Sequence, residues 1–251
     1  MKVSVIIPAY NEAEVIENNM RELEIKCAEM FDDFEIVIVS DGSMDSTWDI
    51  VRDTLVNLAA RNSSGSTACH FIDAGYENNR GKGGALKAGV LAATGDIIVT
   101  TDCDLAYGCD VIGKAVKIME NSPDCDLLIG SRSRADDGFA GYPPIRKLAS
   151  KIYFKLLSFY SGIDVSDSQC GFKCYKSDAA KLIFGELETF GFAFDLEVLL
   201  RAKNHKMKIS EMPVTIKNHG ESKINIIKDT LKMLSDVRKI KKRCSAANQS
   251  R

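Results

Sequence analysis

Proline is scarce, 5 residues in 251, and the 18 glycines show no internal repeat. Collagen-like, proline-rich and low-complexity chains are thereby excluded. No apolar run approaches the roughly 18 to 20 residues that a membrane-spanning helix needs. The amino terminus enters a strand-like run at Val3, without the basic lead and long apolar core of a secretory leader. Only three histidines occur (His70, His205, His219), too scattered for a zinc site. The eight cysteines contain no C-x-x-C pair, and most lie in or beside apolar segments, where a free thiol behaves as a small buried hydrophobe. These absences describe a reduced, cytosolic chain that is soluble or peripheral to a membrane.

What is present is ordinary for a globular protein: 45% hydrophobic and 27% charged residues. The length suffices for one large α/β domain or two small ones, with ample material for a buried core. A net charge of −2 conceals an asymmetry, because residues 201–251 carry 14 basic and 4 acidic side chains while residues 1–200 carry 19 and 31. An acidic body with a basic tail points to an anionic surface near the carboxyl terminus.

Short β-branched runs at 3–7, 35–40, 69–73, 96–101 and 126–130 read as strands, nearly continuous in apolar character. Helical stretches at 12–30, 46–60, 83–93 and 109–121 separate them. The alternation predicts an α/β fold with a mixed, mainly parallel sheet flanked by helices. Further on, the pattern predicts a basic and aromatic helix over 146–162, a strand beginning at Gly171, a helix over 192–203 and a strand over 207–212. An amphipathic helix over about 225–242 closes the chain.

In parallel sheets ligands sit beyond the carboxyl ends of the strands, so those positions decide function. PAYNEAE follows the first strand, with Pro8, Tyr10, Asn11 and Glu12, where a dinucleotide fold would need G-x-G-x-x-G. A turn and a helix capped by Asn11 would explain it; the functional alternative has Tyr10 stack on a nucleoside and Glu12 accept from it. SDGSMDST follows the second strand, and its Asp41 is a carboxylate suited to a base N–H or a ribose hydroxyl. NNRGKGGALKAG is not a P-loop, yet its glycines and Lys82 favour an anionic ligand. TTDCD ends the fourth strand, where Asp102 and Asp104 can converge on a divalent cation holding a diphosphate.

The four features resemble, in order and spacing, the GT-A nucleotide-sugar glycosyltransferases of family 2. GSRSR (130–134), SQCGFKCYK (168–176), FAFDLE (192–197) and GESK (220–223) extend the resemblance towards the dolichyl- or polyprenyl-phosphate sugar transferases, over roughly residues 1–225. Residues 226–251 are read as a separate basic amphipathic helix and tail. The resemblance implies that Pro8, Tyr10, Glu12, Val39 and Asp41 hold the nucleoside, with Lys82 nearby. It implies Mg²⁺ or Mn²⁺ on Asp102 and Asp104, phosphate contacts from Arg132 and Lys223, and inversion at the sugar carbon. Ala106 stands where some relatives carry a polar residue that helps ligate the metal, so the metal shell is expected to differ in part.

A hydroxyl acceptor needs a general base; a phosphomonoester, with a second pKa of roughly 6, is already an anion. The basic residues of the second half, Arg132, Arg134, Arg146, Lys147, Lys173 and Lys223, suit a phosphate acceptor. Asp195 and Glu197 leave an alternative. They are either carboxylates favoured by a helix N-terminus or, for one of them, the base for a glycan hydroxyl, since two residues apart on a helix they point about 200° apart. The expected activity is transfer of a hexose from a nucleotide diphosphate, UDP before GDP, to polyprenyl phosphate at the cytoplasmic face of a membrane. The basic helices would lie on the membrane surface or pack on the body, in a peripheral enzyme that acts alone, as a homodimer or with a membrane-anchored partner subunit. Nucleic-acid binding is disfavoured by the acidic body and the aspartate pair.

Overall fold

The computed structural model describes residues 1–62, 68–138, 162–191, 193–217 and 239–244. Strand β1 (Val3–Ala9) leads to α1 (Ile16–Met30), β2 (Asp33–Ser40), α2 (Thr47–Asn62) and β3 (Ala68–Asp73). Helix α3 (Lys82–Ala92), β4 (Ile97–Thr100), α4 (Asp110–Asn121) and β5 (Leu127–Ser131) follow, then a 3₁₀ turn at Arg132–Arg134. The second half contributes β6 (Lys173–Lys176), α5 (Ser177–Glu186), α6 (Phe194–Asn204) and β7 (Ile209–Pro213).

Among the described residues the expected elements are present, with ends shifted by a few residues. Helix α5 is an addition: SDAAKLIFGE leaves β6 without a turn and buries Ala179, Ala180, Ile183 and Phe184 at helical spacing. Helix α1 begins later than the sequence suggests. Asn11 does not cap it but sits in the left-handed region at φ 55°, a conformation Asn tolerates better than most residues.

The seven strands form one sheet in the order β3-β2-β1-β4-β6-β5-β7. Strands β3, β2, β1 and β4 are mutually parallel. Strand β6 runs antiparallel to both neighbours, β4 and β5, and β7 lies parallel to β5. Both faces are covered, which explains the near-continuous apolar strands. Val3, Val5 and Ile7 are buried with apolar residues of α1 and α4, while Ile6, Val37 and Val39 are buried with those of α3, α5 and α6. The two faces thus follow the period of two along each strand.

Ile240 and Cys244 belong to the second of these clusters, Asn204 Nδ2 donates to the Cys244 carbonyl at 2.9 Å, and Lys239, Lys241 and Lys242 are exposed. At these positions the apolar side chains of the expected terminal helix face the body and the basic ones face solvent. The remainder of that helix, Lys223, and the expected helix from Arg146 to Ser161 lie outside the described residues.

At the opposite end of the sheet from the ligand loops, Glu35 of β2 is buried. Its carboxylate accepts from Ser4 Oγ at 2.7 Å, from Thr94 N and Oγ1 at 2.6 Å each, and pairs with Lys2 Nζ at 2.6 Å. Burial opposes ionisation, but Lys2 and the Thr94 and Ser4 donors overcome it and hold the group at about 2. A depressed folded pKa contributes stability above the unfolded value, near 4.3, that is lost as pH falls through the folded one. Urea unfolding at a series of pH values is expected to show about 3 kcal/mol of acid sensitivity between pH ~5 and ~2 that Glu35→Gln removes. Equal acid slopes in the two proteins would contradict the assignment.

Candidate functional site

The loops after β1 and β2 are stitched together by side-chain bonds. Asn11 Oδ1 accepts from Met44 N at 2.8 Å, Asn11 N donates to Ser43 Oγ at 3.2 Å, and Glu12 N donates to Thr47 Oγ1 at 2.8 Å. Tyr10 is left 42% exposed beside them, an accessible aromatic face. The Val39 side chain is fully buried against the helix α3 side, where a Cβ on Gly89 would stand 3.0 Å from it. Any contact from Val39 to a ligand is therefore made by its main chain.

Asp41 is buried, and its carboxylate holds the loop after β3. Tyr76 Oη (2.6 Å) and Arg80 N (2.8 Å) donate to Oδ1; Asn79 Nδ2 (3.2 Å) and Gly81 N (2.9 Å) donate to Oδ2. A carboxylate accepts about four hydrogen bonds, so this one is saturated. In this conformation Asp41 positions the loop after β3. Arg80 stacks over the Tyr76 ring at 4.3 Å and completes the loop.

The glycines of GKGG have a packing reason. Gly81 has φ 89°, and a Cβ there would stand 2.7 Å from the Phe190 carbonyl oxygen. A Cβ on Gly83 would stand 2.7 Å from Phe194 Cβ, and Gly83 N donates to the Phe190 carbonyl at 2.9 Å. The turn thus docks on the segment leading into α6. Lys82, held between two anchored glycines, forms an ion pair with Asp102.

Around that pair the structure gathers Asp102, Asp104, Lys82, Lys173 and Asp195, with Arg132 close by. Burial disfavours the charge on Asp102, but Lys82, Lys173 and Arg132 outweigh it and lower its pKa. Asp104 shifts the other way, raised by burial and by the charge of Asp102. The Lys82 ammonium is destabilised by burial, yet Asp102 and Asp195 raise its pKa on balance. The two adjacent carboxylates therefore carry more negative charge than Lys82 alone satisfies.

Three further residues support the cluster. Gly171 lies against Asp102: a Cβ there would stand 2.3 Å from Oδ2, so only a bare backbone admits the carboxylate. Lys173 is 2% exposed, donates to the Cys170 carbonyl at 2.6 Å and pairs with Asp195. Asp167 is fully buried and takes Arg132 in a two-pronged grip, Nε to Oδ2 at 2.7 Å and Nη2 to Oδ1 at 2.9 Å. Sequence reasoning did not single out Gly171, Asp167, Tyr76 or Asn79, although the first two lie within or beside the SQCGFK motif.

Asp195 and Glu197, which the sequence reading left as alternatives, have different surroundings. Glu197 is fully buried and accepts from Glu188 N (3.1 Å), Thr189 N (2.8 Å) and Arg201 Nε (2.8 Å). Burial opposes its ionisation, but Thr189 and Arg201 hold its pKa low. Asp195 faces the charged cluster, and burial raises its carboxyl despite Lys173 and Lys82.

The two acids that follow β4, Asp102 and Asp104, are a carboxylate pair of the kind that fits a divalent cation. Among the described residues no three His, Cys, Asp or Glu side chains converge as a cage. Magnesium-type ions at diphosphates use one or two carboxylates and take their remaining oxygens from phosphate and water. Asp104 Oδ1 also accepts from Ala106 N at 3.0 Å.

Residues 4–184 match the model of the family described as Glycosyl transferase family 2. Glycosyltransferase AglD of Haloferax volcanii is 32% identical over 240 residues, which cover 94% of this chain and 36% of that protein. A dolichyl-phosphate beta-glucosyltransferase of Trichomonas vaginalis is 32% identical over 247 residues, 95% of this chain and 72% of its own. Dolichol-phosphate mannosyltransferase of Pyrococcus furiosus is 32% identical over 228 residues, with 89% and 59% covered. The chain thus spans little more than a third of AglD. Among solved structures, glucosyl-3-phosphoglycerate synthase from Mycobacterium tuberculosis in complex with UDP superposes with a TM-score of 0.65 at 17% identity, over 97% of this chain and 80% of that one. This last likeness is one of fold, the GT-A arrangement of a mixed sheet between helices. With the match running from β1 into α5 and taking in the two acids after β4, the chain belongs to glycosyl transferase family 2.

Proposed function

We propose that the chain moves a hexose from a nucleotide diphosphate to polyprenyl phosphate of the dolichyl type, with inversion and with a divalent metal on Asp102 and Asp104. The observation that carries the acceptor is that cations already occupy both candidate bases: Arg201 holds Glu197, and Lys173 holds Asp195. An alcohol acceptor needs a base to take its proton; a phosphate acceptor arrives as an anion. The names of the relatives, dolichyl-phosphate glucosyltransferase and dolichol-phosphate mannosyltransferase, support the same class.

Tyr10, Glu12 and the main chain around Pro8 and Val39 would receive the nucleoside, with Asp41 fixing the loop beside it. The bound metal would neutralise diphosphate charge as the sugar leaves. Arg132, oriented by Asp167, and Lys223 would meet phosphate oxygens. Mn²⁺ and UDP together in the solved glucosyl-3-phosphoglycerate synthase support uridine and a manganese-type ion. No helix of the described residues is long and apolar enough to cross a membrane. The exposed Lys239, Lys241 and Lys242 suit attachment to an anionic cytoplasmic leaflet, at about 1 kcal/mol each.

A second reading keeps Asp195 as the base for a glycan hydroxyl, favoured by the burial that raises its carboxyl. The deciding experiment supplies UDP-glucose or GDP-mannose with Mn²⁺ to the protein, against polyprenyl phosphate and a free glycan. Chloroform-extractable product that persists in Asp195→Asn is expected. Product on the glycan alone, lost in Asp195→Asn, would replace the lipid-phosphate acceptor with a hydroxyl.

A further inference from the structure

We propose that Lys82 is a built-in counter-ion that blocks the metal carboxylate until a nucleoside diphosphate arrives, so that metal and donor enter as one unit. The inference rests on the metal reading of Asp102 and Asp104.

The geometry fixes the ammonium where a cation would bind. Gly81 N is tied to Asp41 Oδ2 at 2.9 Å and Gly83 N to the Phe190 carbonyl at 2.9 Å, so the Lys82 backbone is pinned on both sides. Its side chain reaches Asp102 Oδ1, while Gly171 backs the other oxygen. Asp102 is thus fenced from two directions. A second acid, Asp195, follows Phe194, on which Gly83 packs, and it is already paired with Lys173. Asp195 and Asp104 also attract Lys82, but its ion pair is with Asp102.

Charge bookkeeping then couples the ligands. Asp102 and Asp104 supply two negative charges, and the Asp195–Lys173 pair is neutral. A divalent ion entering beside Lys82 would leave a net positive charge in a partly buried site, where like charges repel strongly. A nucleotide diphosphate brings two or more negative charges and offers phosphate oxygens to the ammonium. Lys82 can then leave Asp102 for the diphosphate as the metal takes its place. Such coupling is reciprocal: each ligand tightens the other by the same factor.

The test is Mn²⁺ binding to the full chain, followed by the electron paramagnetic resonance signal of the free ion, with and without UDP. Lys82→Met is expected to bind Mn²⁺ at least about tenfold more tightly than wild type without nucleotide, and to gain less from UDP. Lys82→Arg, which keeps the charge, should remain as weak as wild type. Thermal melts check folding, and Lys82→Gln gives a second uncharged variant if methionine is not tolerated. Nucleotide-free affinity that is unchanged or weaker in the folded uncharged variants, with Asp104→Ala losing Mn²⁺ in the presence of UDP, overturns the role of Lys82 alone. Mn²⁺ binding by Asp104→Ala equal to wild type in the presence of UDP overturns the metal reading and this inference with it.

Discussion

Asp104→Ala is expected to lower sugar transfer by about three orders of magnitude or more and leave the melting temperature near that of wild type. The two effects separate because Asp104 is placed for charge, not for packing. Its bond from Ala106 N closes a short turn, and burial together with its neighbour Asp102 already raises its pKa. Removing it relieves repulsion between adjacent acids, which offsets the lost turn bond. What disappears is half of the carboxylate pair that would hold the metal at the diphosphate. Transfer assays and calorimetric titration of UDP in the presence of Mn²⁺ provide the check. A variant that transfers sugar at the wild-type rate would remove the metal from these two residues.

The largest stability effect is expected at Lys173. Its ammonium is buried on β6 between the Cys170 carbonyl and Asp195, so Lys173→Met leaves an acid in the interior without its counter-charge. Breaking a buried pair from one side costs about 3 to 5 kcal/mol, whereas replacing both partners by apolar residues is often close to neutral. Urea unfolding of Lys173→Met, Asp195→Leu and the double variant forms the cycle. The single lysine variant should lose about 3 kcal/mol or more, and the double variant should recover most of it. A single-variant loss below about 1 kcal/mol would place the pair in the class of solvent-screened surface bridges.

Much of the molecule could be read from residues alone, for identifiable reasons. Each strand of the first half is an apolar run that ends at polar residues, and each run announces both a strand and the loop after it. Local chemistry therefore exposed the Asp102–Asp104 pair and the PAYNE and SDGS loops. Partners distant in sequence were hidden. That Asp41 would spend its carboxylate on Tyr76 and Asn79 depends on how far the β3 loop folds back over β2. That Gly171 must be glycine depends on a strand inserted antiparallel beside β4, and sequence periodicity carries no direction. The Glu197–Arg201 pair, at the helical i,i+4 spacing, was legible in principle and would have set Glu197 apart from Asp195. Helix α5 escaped because it is short and begins where β6 stops.

The insertion of β6 between β4 and β5 has a consequence for biosynthesis. Thr100 of β4 and Lys173 of β6, paired in the sheet, lie 73 residues apart. At about 5 to 20 residues per second, a ribosome needs roughly 4 to 15 s to cover that distance. During this interval β3, β2, β1 and β4 are all made, while the outer edge of β4 lacks its partner and presents unpaired backbone groups. Strand β5 emerges first but belongs one place further out, so pairing it directly with β4 would be a wrong turn that the nascent chain has to avoid or undo. A chain halted before Lys176 would carry the loops after β1 and β2 and both acids that follow β4, with β6 incomplete and Asp195 not yet made. The late strand both seals the sheet and finishes the charge balance, which ties correct folding of the second half to the completion of the proposed donor site.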